Sequence, residues 1–567
     1  HNRLKIIDCS DKANQPMSNN DHTIHIVFNG EVYNFKELKH KYFSDDLSSF
    51  NTGSDTEIVL KMYEKFGINC LDKLNGMFAF AIHDLKNKEV FLCRDRFGIK
   101  PLFFYQDSGY FIFSSEIKGI LNSNLIERKI NKNAISEFLF YGNTLGENTL
   151  YNGIKKLESG HFLKFDLNAE KFYLKKYYDI STAKETKFDS HKLFSLFEKS
   201  LKRQTISDVD IGIFLSGGID SSIIAYMSKY IGKDITCFTA QFGDHNKEDV
   251  LFSKLIAKEL NVKHSILEIQ DFNVDETFQK MIYHHDSPFS DAANIPLYLM
   301  TKNLPNNIKV VLQGDGGDEL FGGYNRYQII KHKSFLKYVF QLGSPFSSSF
   351  KRLSNALNKK NDYEKFAYLL CEDKNPDVNI SYMNQSFFED IEFPKTAIHR
   401  YKSIFESISN NKSSLDKLFY IDSQIILPDI FFEKVDRSTM ANGIEIRVPF
   451  LDNDIVEYVS GIKSSHKIKL FNSKLLLRKT FEDKINTQIF RSKKRGFGVP
   501  YKSWIKNELK DRFIDSVLSS SKMSDIFNIN KIEKLYNEHC IGKKDNGFLL
   551  YKILTFASWI DLNEIEV

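Results

Sequence analysis

The apolar positions change rhythm along the chain. Up to about residue 165, short alternating or continuous apolar runs are separated by polar turns, as in "HTIHIVFNGEVYN" (22–34), "KEVFLCRDRFGIKPLFFY" (88–105) and "GYFIFSSEIKGIL" (109–121). Runs rich in β-branched and aromatic residues and bounded by turn formers predict strands, and their density predicts stacked sheets. Two stretches, around 55–66 and 132–141, instead read as helices. Residues 166–190 turn polar and read as a linker in which Tyr177 and Tyr178 are the residues that could pack. From about 191 the rhythm becomes strand, turn, helix. "VDIGIFL" (209–215) is a buried-strand run, "IIAYMSKYI" (223–231) a helical one, and "DITCFTAQF" (234–242) and "NIKVVLQ" (307–313) repeat the strand theme. Beyond 330 the chain reads mostly helical. The pattern thus predicts a β-rich domain over 1–165 and an α/β domain over 191–567 with a helical C-terminal part, without internal repeats.

Length and composition narrow the function. A chain of 567 residues is too long for one core. Hydrophobic content of 42% and charged content of 27% belong to a soluble globular protein. The 78 Lys+Arg against 73 Asp+Glu leave only +5, and no dense basic patch with interleaved aromatics is visible, which argues against nucleic acid as a partner. No run of eighteen apolar residues and no signal-peptide pattern occurs, so no membrane association is expected. Six cysteines (Cys9, Cys70, Cys93, Cys237, Cys371, Cys540) lack CxxC spacing, which argues against a zinc site or a disulfide framework and suits the cytoplasm.

The chemistry concentrates in "FLSGGIDSS" (214–222). A strand running into Ser-Gly-Gly and then a helix sets bare amides beside a helix N-terminus, an anion site by both hydrogen bonding and dipole. Gly217 and Gly218 allow close approach of a phosphate, and Ser216, Ser221 and Ser222 add hydroxyl donors. Asp220 makes sense there only as a ligand to Mg²⁺ that is itself bound to phosphate. GxxxxGK[ST] and GxGxxG are both absent. SGGxDSS resembles the pyrophosphate loop of ATP pyrophosphatases; the plain alternative is a tight strand–helix turn with a Ser cap. "QGDGGDELFGGY" (313–324) follows another strand with glycines and acids, of which Asp315 and Asp318 suit a metal or a proton transfer. "RSKKRGFGVP" (491–500) offers Lys493 for phosphates, although alone it would be a solvated basic run. His284 and His285 beside Asp286 suggest packing rather than a metal site, because neighbouring helical residues point apart.

These pieces, with "KVDRSTMANGIEIRVPFLD" (434–452) and "RGFGVP", resemble glutamine-dependent asparagine synthetase over nearly the whole chain. The resemblance implies an N-terminal αββα-type glutaminase sandwich followed by a doubly wound parallel-sheet ATP-pyrophosphatase domain. It implies substrates ATP and glutamine, Mg²⁺, and a carboxylate that is adenylated, with release of pyrophosphate, and then amidated by ammonia moving through an internal passage; a homodimer is one assembly it allows. In "FNGEVYNFKEL", Asn29 and Gly30 would supply an oxyanion hole. Glu31, and Asp55 in "TGSDTEIV", would hold the α-amino group of glutamine. Arg3 in "RLKIID" would clamp its α-carboxylate, with Ile7 beside it. Leu215, Ala240, Gln313 and Gly314 join the loop residues around ATP, Asp220 and Asp318 hold the metal, and Asp315 and Lys493 act in the reaction.

Two departures stand out. The family's glutaminase uses an N-terminal cysteine, whereas this sequence starts at His1, past the family's first strand, and reads as N-terminally incomplete or as a protein fed by free ammonia. Cys9, Cys70 and Cys93 are expected to be packed thiols. The family's SGEGADE is here QGDGGDE, with Asp315 in place of glutamate, and Gln241 replaces a glycine. "HHDSPFSDAANIPLYL" (284–299) fits relatives in bacterial surface-polysaccharide (O-antigen) pathways. The acceptor is therefore aspartate or a nucleotide-linked uronic acid. A non-catalytic homologue that binds nucleotide or a partner chain is the reading from another class, against which Asp220, Asp315, Asp318 and Lys493 count.

Overall fold

The structure, a computed structural model, describes all residues except 244–245, 374, 390, 486–497 and 567. The first half holds nine strands: β1 (Met17–Ser18), β2 (Ile24–Val32), β3 (Gly76–Asp84), β4 (Glu89–Arg94), β5 (Phe103–Gln106), β6 (Phe111–Ser114), β7 (Lys155–Lys156), β8 (His161–Asp166) and β9 (Lys171–Lys176). They form an antiparallel six-stranded sheet, β1-β2-β3-β4-β8-β9, and a three-stranded sheet, β6-β5-β7. The helices are α1 (Phe35–Phe43), α2 (Asp55–Phe66), α3 (Ile117–Leu121) and α4 (Lys132–Tyr141). Period-two alternation stacks these layers. On β3, Phe78, Phe80 and Ile82 pack with Ile58, Val59 and Met62 of α2, while Ala79 and Ala81 face Leu102 and Phe104. The next residue back on β5, Phe103, turns to Ile120 of α3 and Phe138 of α4. The order is helix, sheet, sheet, helix, as the αββα expectation requires.

The stretch 166–190 is not a plain linker. It supplies β9, an edge strand paired along its whole length with β8, and Tyr177 donates from its hydroxyl to the Arg94 carbonyl at 3.0 Å.

In the second half, α5 (Ser190–Gln204) leads into a parallel sheet of β10 (Asp210–Phe214), β11 (Thr236–Gln241), β12 (His264–Glu268), β13 (Ile308–Leu312) and β14 (Glu445–Arg447). The order is β12-β11-β10-β13-β14. Crossover helices are α6 (Ile219–Tyr230), α7 (Lys247–Leu260), α8 (Val274–His285) and α9 (Asn294–Lys302). The chain winds from β10 outward to β12 and then returns to β13 on the other side. The point of reversal, at the carboxyl ends of β10 and β13, is where open α/β sheets bind ligands. Both glycine-rich motifs leave the sheet there. A helical part follows β13 and ends in the helix Gly547–Asn563, which is buried along most of its length. Among the described residues, no helix is long and apolar enough to cross a membrane.

Candidate active sites

The first site lies on β2. Gly30 sits opposite Phe78 with φ +142°, and a Cβ at that position would overlap the Met77 carbonyl oxygen, so only glycine fits. Its neighbours Asn29 and Glu31 line a cavity of about 640 Å³ together with Arg3 and Asp55. The helix cap places Asp55. Ser54 Oγ accepts from Thr56 N at 3.1 Å, which starts α2 with Asp55 in its first turn. The Asp55 carboxylate then takes Val32 N–H at 2.9 Å. Burial pushes the Asp55 carboxyl up to about 6 against the pull of that amide. Glu31 is raised further, first by burial and then by the charge of Asp55, with Arg447 opposing. One Glu31 oxygen, Oε1, is buried without a hydrogen-bond partner. Two buried carboxylates beside one orphan oxygen fit a cationic group such as an ammonium. Arg3 donates to the carbonyls of Ile7 (2.8 Å), Asp8 (2.7 Å) and Ser10 (3.1 Å). It therefore shapes the wall that holds Ile7, and a bidentate clamp would have to use its remaining donors.

The second half of the chain lines the same cavity. Asp436 and Arg437, from the helix Phe432–Met440, line it, Lys100 pairs with Asp436 at 2.9 Å, and Arg437 donates to the Ser115 carbonyl at 3.2 Å. Asn29 Nδ2 lies 3.4 Å from Ser115 Oγ on the same segment. The KVDR stretch, read from sequence only as part of the nucleotide half, thus touches both halves. Its Lys434 pairs with Asp291 at 2.8 Å, and Asp291, then Asp315 and Glu319, keep it protonated despite burial.

At the second site the sequence motifs converge. Leu215 N–H donates to the Phe238 carbonyl at 2.9 Å, which ties the loop to β11. Gly217 has φ +77°, and a Cβ there would come within 2.9 Å of Phe252 Cβ. Ser216 and Ser221 hydroxyls are 3.1 Å apart, and Ser222 Oγ donates to the Gly218 carbonyl at 2.7 Å. The Gly314 and Gly317 backbones press on Asp220, since a Cβ at either would approach its side chain to 2.7 and 2.8 Å. Gln313 N–H donates to the Arg447 carbonyl at 2.9 Å. β11 runs past its last pairing with β10 at Phe238, so Ala240 projects beyond that partner, its carbonyl taken by Asn246 Nδ2 at 2.7 Å. Lys493 lies outside the described residues.

Sequence reading missed Lys474. It precedes the helix Leu475–Phe481 in a left-handed conformation and is buried between Asp220 and Asp318, 2.6 Å from the latter. Burial would lower its pKa, but the two carboxylates outweigh that and hold the ammonium. Two carboxylates already gathered around a cation, with only hard oxygen donors, fit Mg²⁺, which completes its shell with phosphate and water. A lone lysine in "FNSKLLL" carried no pattern to reveal this.

The remaining expectations divide. His285 stacks on Phe289 at 4.6 Å and contacts Asn294 Nδ2 at 3.1 Å, while Asp286 pairs with Lys118 at 2.8 Å, a packing arrangement and not a metal pair. Cys70 and Cys93 are buried, with burial pushing Cys70 up to about 12. Cys9 is exposed, because the loop that Arg3 gathers turns it outward, and is not the packed thiol expected.

The asparagine synthase family matches residues 192–561, and the glutamine amidotransferase domain family matches residues 1–178. Asparagine synthetase 1 (glutamine-hydrolysing) of Bacillus subtilis (strain 168) is 30% identical over 99% of this chain and 89% of its own length. Asparagine synthetase 2 (glutamine-hydrolysing) of the same organism is 30% identical over 86% of this chain and 63% of its own. The amidase chyE of Penicillium rubens is 26% identical over 89% of this chain and 81% of its own. With both halves matched in this order, the chain belongs to the glutamine-dependent asparagine synthetase family and is a ligase of that type.

Proposed function

We propose that this protein uses ATP to adenylate a carboxylate and amidates it with ammonia released from glutamine, aspartate being the acceptor and asparagine the product. The observation that carries the reading is one cavity lined by Asn29, Glu31 and Asp55 and also by Asp436 and Arg437, whose helix carries Lys434, paired with Asp291 and acted on by Asp315. The amides of Ser216, Gly217 and Gly218 hold the phosphates, and Lys474 balances charge on the departing pyrophosphate. When bound, Mg²⁺ on Asp220 and Asp318 neutralises phosphate oxygens. An acceptor carboxylate oxygen attacks the α-phosphorus and pyrophosphate leaves. Ammonia then attacks the acyl carbon, Asp315 takes the proton that nitrogen sheds, and AMP departs. On the glutamine side, Glu31 and Asp55 bind the α-ammonium, Arg3 and Ile7 the carboxylate end, and Asn29 and Gly30 the oxyanion. Enclosure keeps ammonia from being protonated in solvent. The protein works in the cytoplasm.

A second acceptor, a nucleotide-linked uronic acid of surface-polysaccharide synthesis, is supported by one observation. A cavity of about 940 Å³ opens beside Phe242 at the end of β11, with Phe272 and Trp504 in its wall, far more room than an amino acid needs. The test is a panel of carboxylates with ATP, Mg²⁺ and ammonium. Pyrophosphate release with aspartate is expected; release only with uronic acids transfers the assignment to them. ADP and phosphate with every carboxylate would overturn the reaction, and no turnover at all would favour a non-catalytic homologue.

A further inference from the structure

Arg447 is fully buried, and its side chain and main chain serve different sites. It sits in "RVPFLD" at the end of β14, in register with Leu312 of β13. Nη2 donates to Glu31 Oε2 at 3.2 Å, and Nε to Glu445 Oε1 at 2.9 Å. Nη1 donates to the carbonyls of Gln204 and Ile206 at 3.0 and 2.7 Å. Meanwhile its own carbonyl accepts Gln313 N–H at 2.9 Å, the first amide of the loop whose Gly314 packs on Asp220. One residue therefore links the carboxylate at the head of the first cavity to the loop that frames the second site.

Stability alone is a poor reason for such a residue, since buried ion pairs seldom repay their desolvation. The charge count is also unbalanced. Three carboxyl groups, Glu31, Glu445 and Asp55, interact with this guanidinium, Lys100 is a second cation near Glu445, and Glu31 Oε1 has no hydrogen-bond partner. We propose that Arg447 is a positioning residue that couples occupancy of the glutamine pocket to the order of the 313–318 loop; this rests on the function proposed above. An α-ammonium arriving at Glu31 and Asp55 supplies the missing positive charge and competes with Arg447 for Glu31. The guanidinium then settles on Glu445, two residues earlier on the same short strand, and fixes the carbonyl that holds Gln313. Ordering the loop once serves both ligands, so each tightens the other, by the same factor in both directions.

The experiment measures glutamine Kd by calorimetry, with and without saturating ATP and Mg²⁺, on the full chain and on Arg447→Lys and Glu445→Gln. Lysine keeps the charge but cannot span two carboxylates, and glutamine at 445 keeps the shape but removes the charge that attracts the guanidinium. Wild type is expected to bind glutamine about fivefold or more tightly when ATP is present, and both variants to fall within about twofold of no effect. A purely structural Arg447 would lower the melting temperature and leave that ratio untouched. Should Arg447→Lys fail to fold, Glu445→Gln decides. Both ligands binding wild type independently, or variants that keep the wild-type ratio, would overturn the coupling while leaving the proposed reaction standing. Wild type that binds neither ligand would overturn the reaction and the coupling together.

Discussion

The cavity on β2 sets buried carboxylates beside basic side chains from both halves of the chain, whereas the loop site at the end of the parallel sheet gathers two carboxylates around one buried lysine next to a glycine turn. In the first, Glu31 and Asp55 are buried on strand and helix N-terminus, and Glu31 Oε1 has no hydrogen-bond partner. In the second, Gly218 caps the start of α6, and Lys474 stands between Asp220 and Asp318. On the function proposed above, the first arrangement serves an ammonium and the second a polyphosphate. Each is built from the backbone geometry at hand: an antiparallel strand can bury alternate side chains beside a pocket, and a parallel strand ending in glycines exposes its amides. The comparison teaches that the two halves can be broken separately, and that Arg447 is where breaking one should reach the other.

The largest expected effect is at the phosphate side. Asp220→Ala should lower ammonium-dependent pyrophosphate release by about 10² to 10³, with a loss of melting temperature because the buried pair with Lys474 is broken; an undiminished rate would remove the metal role. Lys474→Met should cost about 10² in the same assay, and should also lower the melting temperature, because two carboxylates would lose the buried ammonium that lies between them. On the glutamine side, Gly30→Ala should destabilise by about 1–3 kcal/mol, since the new methyl overlaps the Met77 carbonyl. It should abolish glutamine-dependent amidation more completely than ammonium-dependent amidation. Equal losses from both nitrogen sources would contradict the separation of the sites.

The smallest effect is a pH dependence confined to the first cavity. Burial pushes the Asp55 carboxyl up to about 6 from an ordinary 3.8. The folded state thus holds that proton more tightly than the unfolded one, so unliganded stability should fall as pH rises from about 4 to 6. An ammonium prefers the ionised carboxylate, so glutamine affinity should weaken by up to about tenfold per unit as pH drops below about 6. Calorimetric titration across pH 5–8, with Asp55→Asn as control, checks both the direction and the residue.

Much of the fold was legible because periodicity carried it. The helices at 55–66 and 132–141 and the strands around both glycine motifs stand where the pattern predicts them. β9 was not, since its side chains are mostly exposed and leave no buried face to alternate. The two glycine turns stand after the strands the pattern predicts, with glycines where a Cβ would clash. Single long-range charges were not legible. Lys474 is 254 residues from Asp220, and Arg447 is 416 from Glu31, so only the folded chain reveals their partners.

Carboxylate adenylation is the central claim, and isotope transfer tests it most directly. With ATP, Mg²⁺, ammonium and an acceptor carboxylate labelled with ¹⁸O, the oxygen that attacks the α-phosphorus should leave with the nucleotide. Mass spectrometry should find one ¹⁸O in AMP for each amide formed. Label in inorganic phosphate, with unlabelled nucleotide, would mean an acyl phosphate and would contradict the account.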